Sequence, residues 1–269
     1  MKIPRREEAT ARFWTTIYSE CIKKANVRVP FDNLDNGTRV LNSLPECDRY
    51  IALFGGHHFH KLYSAFSNTN FEYTQDKSLE IIDWGCGQAV ATSVLIDYLI
   101  EKNITPNVTS ITLIEPSSLA LERGREFIVR MFSNDLEVES ILNPINKYIG
   151  ELEESDLKDR LSSYSEDNLK LHLFSNILDV EEIDIEKLYN LISNSFSGIN
   201  RIICTSPRGS LRLEEFYRHF SNTFRVANSS SDNTAINADI YNVISGNYTG
   251  HTISRCERQF TVYLSNEKL

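Results

Sequence analysis

The sequence has no uncharged apolar run approaching the roughly 18 residues that a membrane helix requires, and no secretory signal is recognised at its start. No membrane role is therefore expected. Cysteine is sparse and unpaired in pattern: five residues, an odd number, with no C-x-x-C spacing. That excludes a disulfide framework and points to free thiols in a reducing compartment, so the cytoplasm is the expected location. Positive charge is also short, with 28 Lys and Arg against 37 Asp and Glu and a formal net charge of −9. A chain that grips nucleic acid through its phosphates usually carries a basic face, so there is no strong nucleic-acid signature. The richest basic stretch is N-terminal, where Lys2, Arg5, Arg6, Arg12, Lys23, Lys24 and Arg28 outnumber Glu7, Glu8 and Glu20. It reads either as a solvated helix face or as a local patch. Internal repeats and linkers are absent.

What is present is enough for one sizeable globular body: 269 residues, 41% apolar and 10% aromatic. Phe13, Ile17 and Cys21 lie beside Trp14, Tyr18 and Ile22 at helical spacing, which predicts an amphipathic helix over 7–25. A second helix is expected over Cys47–Phe66. Strands then alternate with helices: strand 79–84, helix Val90–Lys102, strand 111–115, helix Ser118–Phe132 capped by Ser117 or Ser118, and a third strand over Val138–Leu142. Glu151–Asp167 is crowded with charge and serine and reads as surface helix or loop. A fourth strand at 169–176, a helix over Asp184–Phe196, a fifth strand at 200–205 and a helix over Ser210–Ser221 continue the alternation. Such order implies a mostly parallel sheet covered on both faces. Thr223–Ala227 and Gln259–Ser265 read as a closing antiparallel pair. Between them Asn228–Asp239 is rich in serine and asparagine and is expected to be a loop, either a lid or a surface excursion.

The most informative stretch is Leu79-Glu80-Ile81-Ile82-Asp83-Trp84-Gly85-Cys86-Gly87-Gln88-Ala89-Val90-Ala91: an apolar strand ending in an acid, two glycines two apart, and the start of a helix. A backbone passing close to a ligand needs glycine, and a helix start aims free N–H groups at the same spot. A dinucleotide fingerprint needs a third glycine where Val90 stands, so NAD and FAD fit poorly, and a Tyr-x-x-x-Lys pair in a helix is also missing. Asp83 to Ala89 instead resembles the first motif of class I S-adenosylmethionine-dependent methyltransferases, with Ala89 in place of the usual last glycine. Ser110–Pro116 ends a second strand on a carboxylate, Glu115, at the distance where that family carries its ribose-binding acid. The resemblance spans about residues 79–265. It implies a seven-stranded, mostly parallel Rossmann-like α/β sheet that ends with a reversed edge strand and has helices on both faces, a methyltransferase-like domain at 79–269 preceded by a helical cap at 1–78, and S-adenosyl-L-methionine as cofactor. Asp83, Gly85, Cys86, Gly87, Glu115, Pro116 and Asn176 are the positions it assigns to the cofactor.

The acceptor is not legible. The fourth strand runs into Ser175-Asn176, with neither the Asn/Asp-Pro-Pro-aromatic motif of adenine and cytosine amino methyltransferases nor the Pro-Cys pair of the cytosine C5 enzymes. Ser175 and Asn176 either line the site or satisfy strand-end backbone. Gly55-Gly56-His57-His58-Phe59-His60 sets three histidines in four positions without a complementary acid or cysteine at a metal-binding spacing, so no metal is expected. Those histidines read as partly buried imidazoles in a glycine-interrupted helix, or as a base or cofactor contact brought by the cap. Tyr50 and Tyr63 read as core or as a shield for the cofactor. Methyl transfer from a sulfonium needs alignment more than a catalytic triad, so no catalytic residue is assigned. Two functions remain: a methyltransferase with an unidentified acceptor, or a non-catalytic methyltransferase-like subunit with a protein partner in a larger assembly.

Overall fold

The computed structural model describes residues 1–25, 33–75, 77–132, 135–158, 168–207, 209 and 211–265. Arg28 of the basic stretch, residues 159–167 of the charged tract and Ser210 lie outside them. A wide π-helical turn, Phe13–Tyr18, leads into α1 (Ser19–Lys24), then come a single helical turn α2 (Leu34–Gly37) and the long α3 (Leu44–Ser67). The alternating core follows as β1 (Ser78–Trp84), α4 (Val90–Lys102), β2 (Asn107–Ile114), α5 (Ser118–Met131), α6 (Asp135–Ile141), β3 (Leu142–Ile145), α7 (Glu154–Lys158) and β4 (Leu169–Ser175). It ends with α8 (Ile185–Ser195), β5 (Gly198–Ser206), α9 (Leu211–Thr223), β6 (Val226–Asp232), β7 (Ile236–Asn242), β8 (Asn247–Ile253) and β9 (Cys256–Leu264).

Seven strands form one sheet in the order β3-β2-β1-β4-β5-β9-β6. β1, β2, β3, β4 and β5 pair in parallel, while β9 runs antiparallel to both β5 and β6. The direction of connection switches between β1 and β4, where open α/β sheets bind ligands at the carboxyl ends of their strands. Register makes that place exact in residue terms. Trp84 pairs with both Ile114 and Phe174, so the residues that follow, Gly85, Glu115 and Ser175, emerge side by side.

β1 is apolar without alternation because both of its faces are covered. Ile81 enters a core with Phe13, Ile17, Ile51, Leu62, Phe66 and the inner face of α4, so side chains from the N-terminal helices and from the sheet share one cluster. Its neighbour Ile82 points the other way, into a core with Trp84, Phe174, Phe216 and Phe260 beneath α8 and α9. In that second core the Trp84 indole N–H donates to His172 Nδ1 at 3.2 Å, and His172 Nε2 meets Asn200 Oδ1 at 3.0 Å. The imidazole is fully buried and uncharged, its pKa pushed down to about 4 by burial. No helix of the described residues is long and apolar enough to cross a membrane.

Four expectations need correction. The first helix begins at Phe13, not at residue 7, and its opening turn is widened. Val138–Leu142 is not a strand: Asp135–Ile141 is helical, with Val138 buried, Ile141 packed three residues on, and Glu139 paired to Arg125. That is a helical period, and β3 starts only at Leu142. Asn228–Asp239 is neither lid nor loose excursion. Its polar residues form most of β6 and the start of β7, held by backbone pairing to β9 and β8, and Arg255 pins the intervening turn through Thr234 and Asp232. An edge strand can stay polar because pairing needs backbone groups, not buried side chains. Finally, the reversed strand is not the edge: β6 lies outside it.

Candidate functional site

The turn after β1 is left-handed at alternate positions: Gly85 (φ +61°), Gly87 (φ +54°) and Ala89 (φ +52°). At Gly85 a Cβ would lie 2.6 Å from the Ile177 side chain, so strand β4's extension closes over the glycine. At Gly87 the space is open and only the backbone angle demands glycine. Ala89 is the departure from the family pattern, and the helix opposite compensates. A Cβ on Gly124 of α5 would stand 2.8 Å from the Gln88 carbonyl carbon and 2.9 Å from the Ala89 Cβ. The space released by a missing side chain has moved from the loop to its neighbour. Gly124 gives a weak sequence signal, a glycine inside an amphipathic helix, which typically costs about 1 kcal/mol relative to alanine unless packing requires it.

Asp83 faces the helix. Its Oδ2 accepts from the Thr92 N–H at 3.1 Å and the Thr92 hydroxyl at 2.7 Å, fastening the first turn of α4. Burial pushes its carboxyl up to about 6, with the Glu115 charge adding to that. Cys86 ties the loop to β2 through its backbone, N–H to the Ile114 carbonyl at 2.9 Å, and its thiol is buried and pushed upward by that burial.

Glu115 bridges the two strand tips. Oε2 accepts from the Gly87 N–H at 3.0 Å and Oε1 from the Ser117 N–H at 2.9 Å, leaving each oxygen a free lone pair. Burial raises its pKa, opposed by those two hydrogen bonds. The Pro116 carbonyl accepts from Asn146 Nδ2 at 2.8 Å, which sets the exit of the chain from β2. Nearby, Gln88 Oε1 is a buried acceptor with no hydrogen-bond partner in the structure, although Gln88 Nε2 donates to the Cys47 carbonyl at 3.0 Å.

On the other side of Gly85, Asn176 adopts φ +60°, which turns its side chain up from β4 toward α3. Oδ1 accepts from Lys61 Nζ at 2.7 Å, and Nδ2 meets His58 Nδ1 at 3.0 Å. The Ser175 hydroxyl stands 3.5 Å from the same His58 nitrogen. Helix α3 therefore lies across the strand tips, with Cys47, Tyr50, His58 and Lys61 on one face. Tyr50 is packed close enough to Glu115 that burial, then the carboxylate, raise its phenol pKa. Glycine does not interrupt the helix. Gly55 and Gly56 admit neighbours instead: a Cβ on Gly56 would be 2.8 Å from the Tyr18 hydroxyl and 3.1 Å from Ile240 of β7.

The three histidines diverge because successive helix positions radiate. His57 faces His251, with ring centres 5.9 Å apart, His60 packs edge-on against Trp14, and His58 turns to Asn176. Among the described residues no group of three His, Cys, Asp or Glu is placed to hold a metal ion. The sequence reading brought Asp83, Gly85, Gly87 and Glu115 together and named Asn176. It missed Gly124, for which the helical glycine was a cue, and Lys61, for which nothing local was.

The strand order and the single reversed strand one in from the edge decide the architecture. The fold is a seven-stranded, mostly parallel Rossmann-like α/β sheet. No protein-family model matches the chain, and no curated protein matches it. Among solved structures the chain is similar to a precorrin-6y C5,15-methyltransferase from Geobacter metallireducens, at 12% identity over 76% of this chain and 86% of that one, TM-score 0.42. It is similar also to an SAM-dependent O-methyltransferase from Thermotoga maritima, at 10% identity over 88% and 71% of the two chains, TM-score 0.40. A third likeness is to an SAM-dependent methyltransferase from Leishmania major, at 12% identity over 93% and 85%, TM-score 0.43.

Proposed function

We propose that the chain binds S-adenosyl-L-methionine at the tips of β1, β2 and β4 and transfers its methyl group to an acceptor. The observation that carries this reading is the Glu115 carboxylate, anchored by the Gly87 and Ser117 N–H groups with a lone pair free on each oxygen. Two lone pairs on one rigid acid suit two neighbouring ribose hydroxyls. The local chemistry also fits a cationic ligand. Asp83 is buried and Glu115 half-buried, and both have raised pKa values, so a positive charge nearby relieves them, and the orphaned Gln88 Oε1 needs a donor.

In this reading Glu115 holds the ribose, Gly85, Cys86 and Gly87 supply the close backbone, and Pro116 directs the wall beyond the acid. Asp83 acts indirectly, by fixing the turn and the start of α4. Asn176, on the far side of Gly85, lies toward the methyl-donating end. The bound sulfonium supplies an already activated methyl, so this chain's residues need only orient the acceptor, exclude water and manage protons. The division into a helical cap at 1–78 and a cofactor domain at 79–269 belongs to the same proposal, with α3 as the roof through which the cap would meet the acceptor.

Titration calorimetry with S-adenosylmethionine and S-adenosylhomocysteine tests the reading: both bind, and Glu115→Ala weakens the binding of both about a hundredfold. Failure of the unsubstituted protein to bind either nucleoside discards the proposal. A labelled-methyl transfer assay over RNA, protein and metabolite fractions then identifies the class of acceptor.

A further inference from the structure

Lys61 is only 3% exposed, and among the described residues its ammonium makes one hydrogen bond, to a neutral acceptor, Asn176 Oδ1 at 2.7 Å. Lysine is seldom buried without a counterion, because an unpaired ammonium in a dry site is costly. The groups that face it are His57 and His58 on its own helix, Asp179 beyond β4 and Cys256 on β9. Burial, and next the charge of Lys61 itself, hold both imidazoles below their ordinary pKa, so they are uncharged at neutral pH. Burial and the Asp179 carboxylate push the Cys256 thiol upward, so it is uncharged as well. Asp179 acts on Lys61 from beyond ion-pairing distance, and its Oδ2 accepts from the Ser206 hydroxyl. Burial pushes the Lys61 pKa down to about 8, against the opposing pull of the Asp179 carboxylate. The β4 end of the site is thus built around one poorly compensated positive charge.

That charge bears on the methyl donor, provided that S-adenosyl-L-methionine binds at these strand tips as proposed above. A sulfonium is a permanent cation, whereas the thioether left after methyl transfer is neutral at sulfur. We propose that this end of the site holds one cation at a time, so that the sulfonium nucleoside binds as Lys61 releases its proton to solvent, while the thioether nucleoside binds with Lys61 still protonated. Lys61 is then the residue that sets the preference between donor and product, and it does so through charge. Donor binding leaves an uncharged amine beside Asn176, and departure of the donor's charge restores the ammonium.

The test is calorimetry on the full chain with S-adenosylmethionine and S-adenosylhomocysteine at pH 7 and pH 9, each in two buffers of different ionisation enthalpy. For a binding-competent form with unprotonated Lys61, donor affinity tightens about tenfold between those pH values, with release of about one proton at pH 7. Product affinity stays level. In Lys61→Met the donor binds at pH 7 about tenfold more tightly than it binds the unsubstituted protein at pH 7. Asp179→Asn keeps the lysine, removes the carboxylate that holds its proton, and moves the tightening to lower pH. Each nucleoside's own amino group titrates alike in every variant and cancels when one ligand is compared between variants at one pH, and Asp83 and Glu115 meet both ligands alike. Parallel pH curves for donor and product in the unsubstituted protein overturn the inference and leave the methyl-donor reading standing. No binding of either nucleoside removes both.

Discussion

The two sides of the β1 turn are built differently. Toward β2, the site is a set of neighbours in register: Gly87 and Ser117, joined by their backbone N–H groups to the one carboxylate of Glu115. Toward β4, it is assembled from distant segments, with Asn176 meeting His58 and Lys61 across more than a hundred residues. The first side needs particular backbone angles, and those angles restrict the residue type. The second needs only that a helix lie across the strand tips, and many side chains would satisfy that. The β2 side is therefore written in a motif, and the β4 side is not.

Gly85 is shared by both sides, and the largest effect is expected there. Gly85→Val forces a branched side chain into a positive φ and into Ile177, at a cost of about 4 kcal/mol from strain plus overpacking. Denaturant unfolding measures that loss, and a cost below about 1 kcal/mol would mean that the turn relaxes freely and that the contrast between its two sides is overstated.

The β4 side carries its own acid sensitivity through His172. The unfolded imidazole takes a proton below about 6.5, but the buried one resists until about 4. Protons bind preferentially to the unfolded chain in that window, so the stability that the neutral imidazole contributes is intact above it and is lost as pH falls from about 6.5 to about 4. The expected loss is about 3 kcal/mol. Asp83, with its carboxyl near 6, works in the opposite sense over about 4 to 6, so the clean observable is the difference between the native chain and His172→Gln. If that difference is independent of pH, the Trp84–His172–Asn200 chain is not the buried neutral array described.

Glu115→Ala isolates the β2 side: about a hundredfold weaker nucleoside binding, near 2.7 kcal/mol, with the far-ultraviolet circular dichroism unchanged. Equal weakening by Asn176→Ala would erase the distinction between the two sides, because Glu115 would no longer dominate. The smallest expected effects lie at the packed pair beneath the turn. Gly124→Ala should cost about 1.5 kcal/mol by crowding Ala89, whereas Ala89→Gly should recover about 1 kcal/mol by removing a left-handed alanine. The double variant tests whether the two positions share one space. Strict additivity would separate them.

Several elements are readable from sequence because their causes are local. Val90–Lys102 has the predicted bounds, since the turn before it and the apolar run within it both act over a few residues. Ser117 caps α5 and Asp184 caps α8 through their own side chains, accepting from Ala120 and Lys187. The misreadings share a different cause. β6 is polar and exposed, so no hydrophobic pattern announces it; only pairing with β9 makes it a strand. The β7–β8 hairpin carries no such pattern either, and it seats Ile240 against Gly56 of α3. The same glycine suggests a broken helix as long as its neighbour in space is unknown.

By itself the sequence determined that a tight glycine turn follows β1, that an acid ends β2, and that strands alternate with helices into a two-faced sheet. Backbone angles, strand ends and hydrophobic periods are properties of short segments, and short segments are what a chain spells out directly. Tertiary structure alone decided the strand order with β9 reversed inside the edge, the transfer of a small-residue requirement from Ala89 to Gly124, and the path of α3 over the strand tips. Each of those depends on which distant surfaces exclude one another, and Lys61 becomes a buried charge at the site only once α3 has been laid down there.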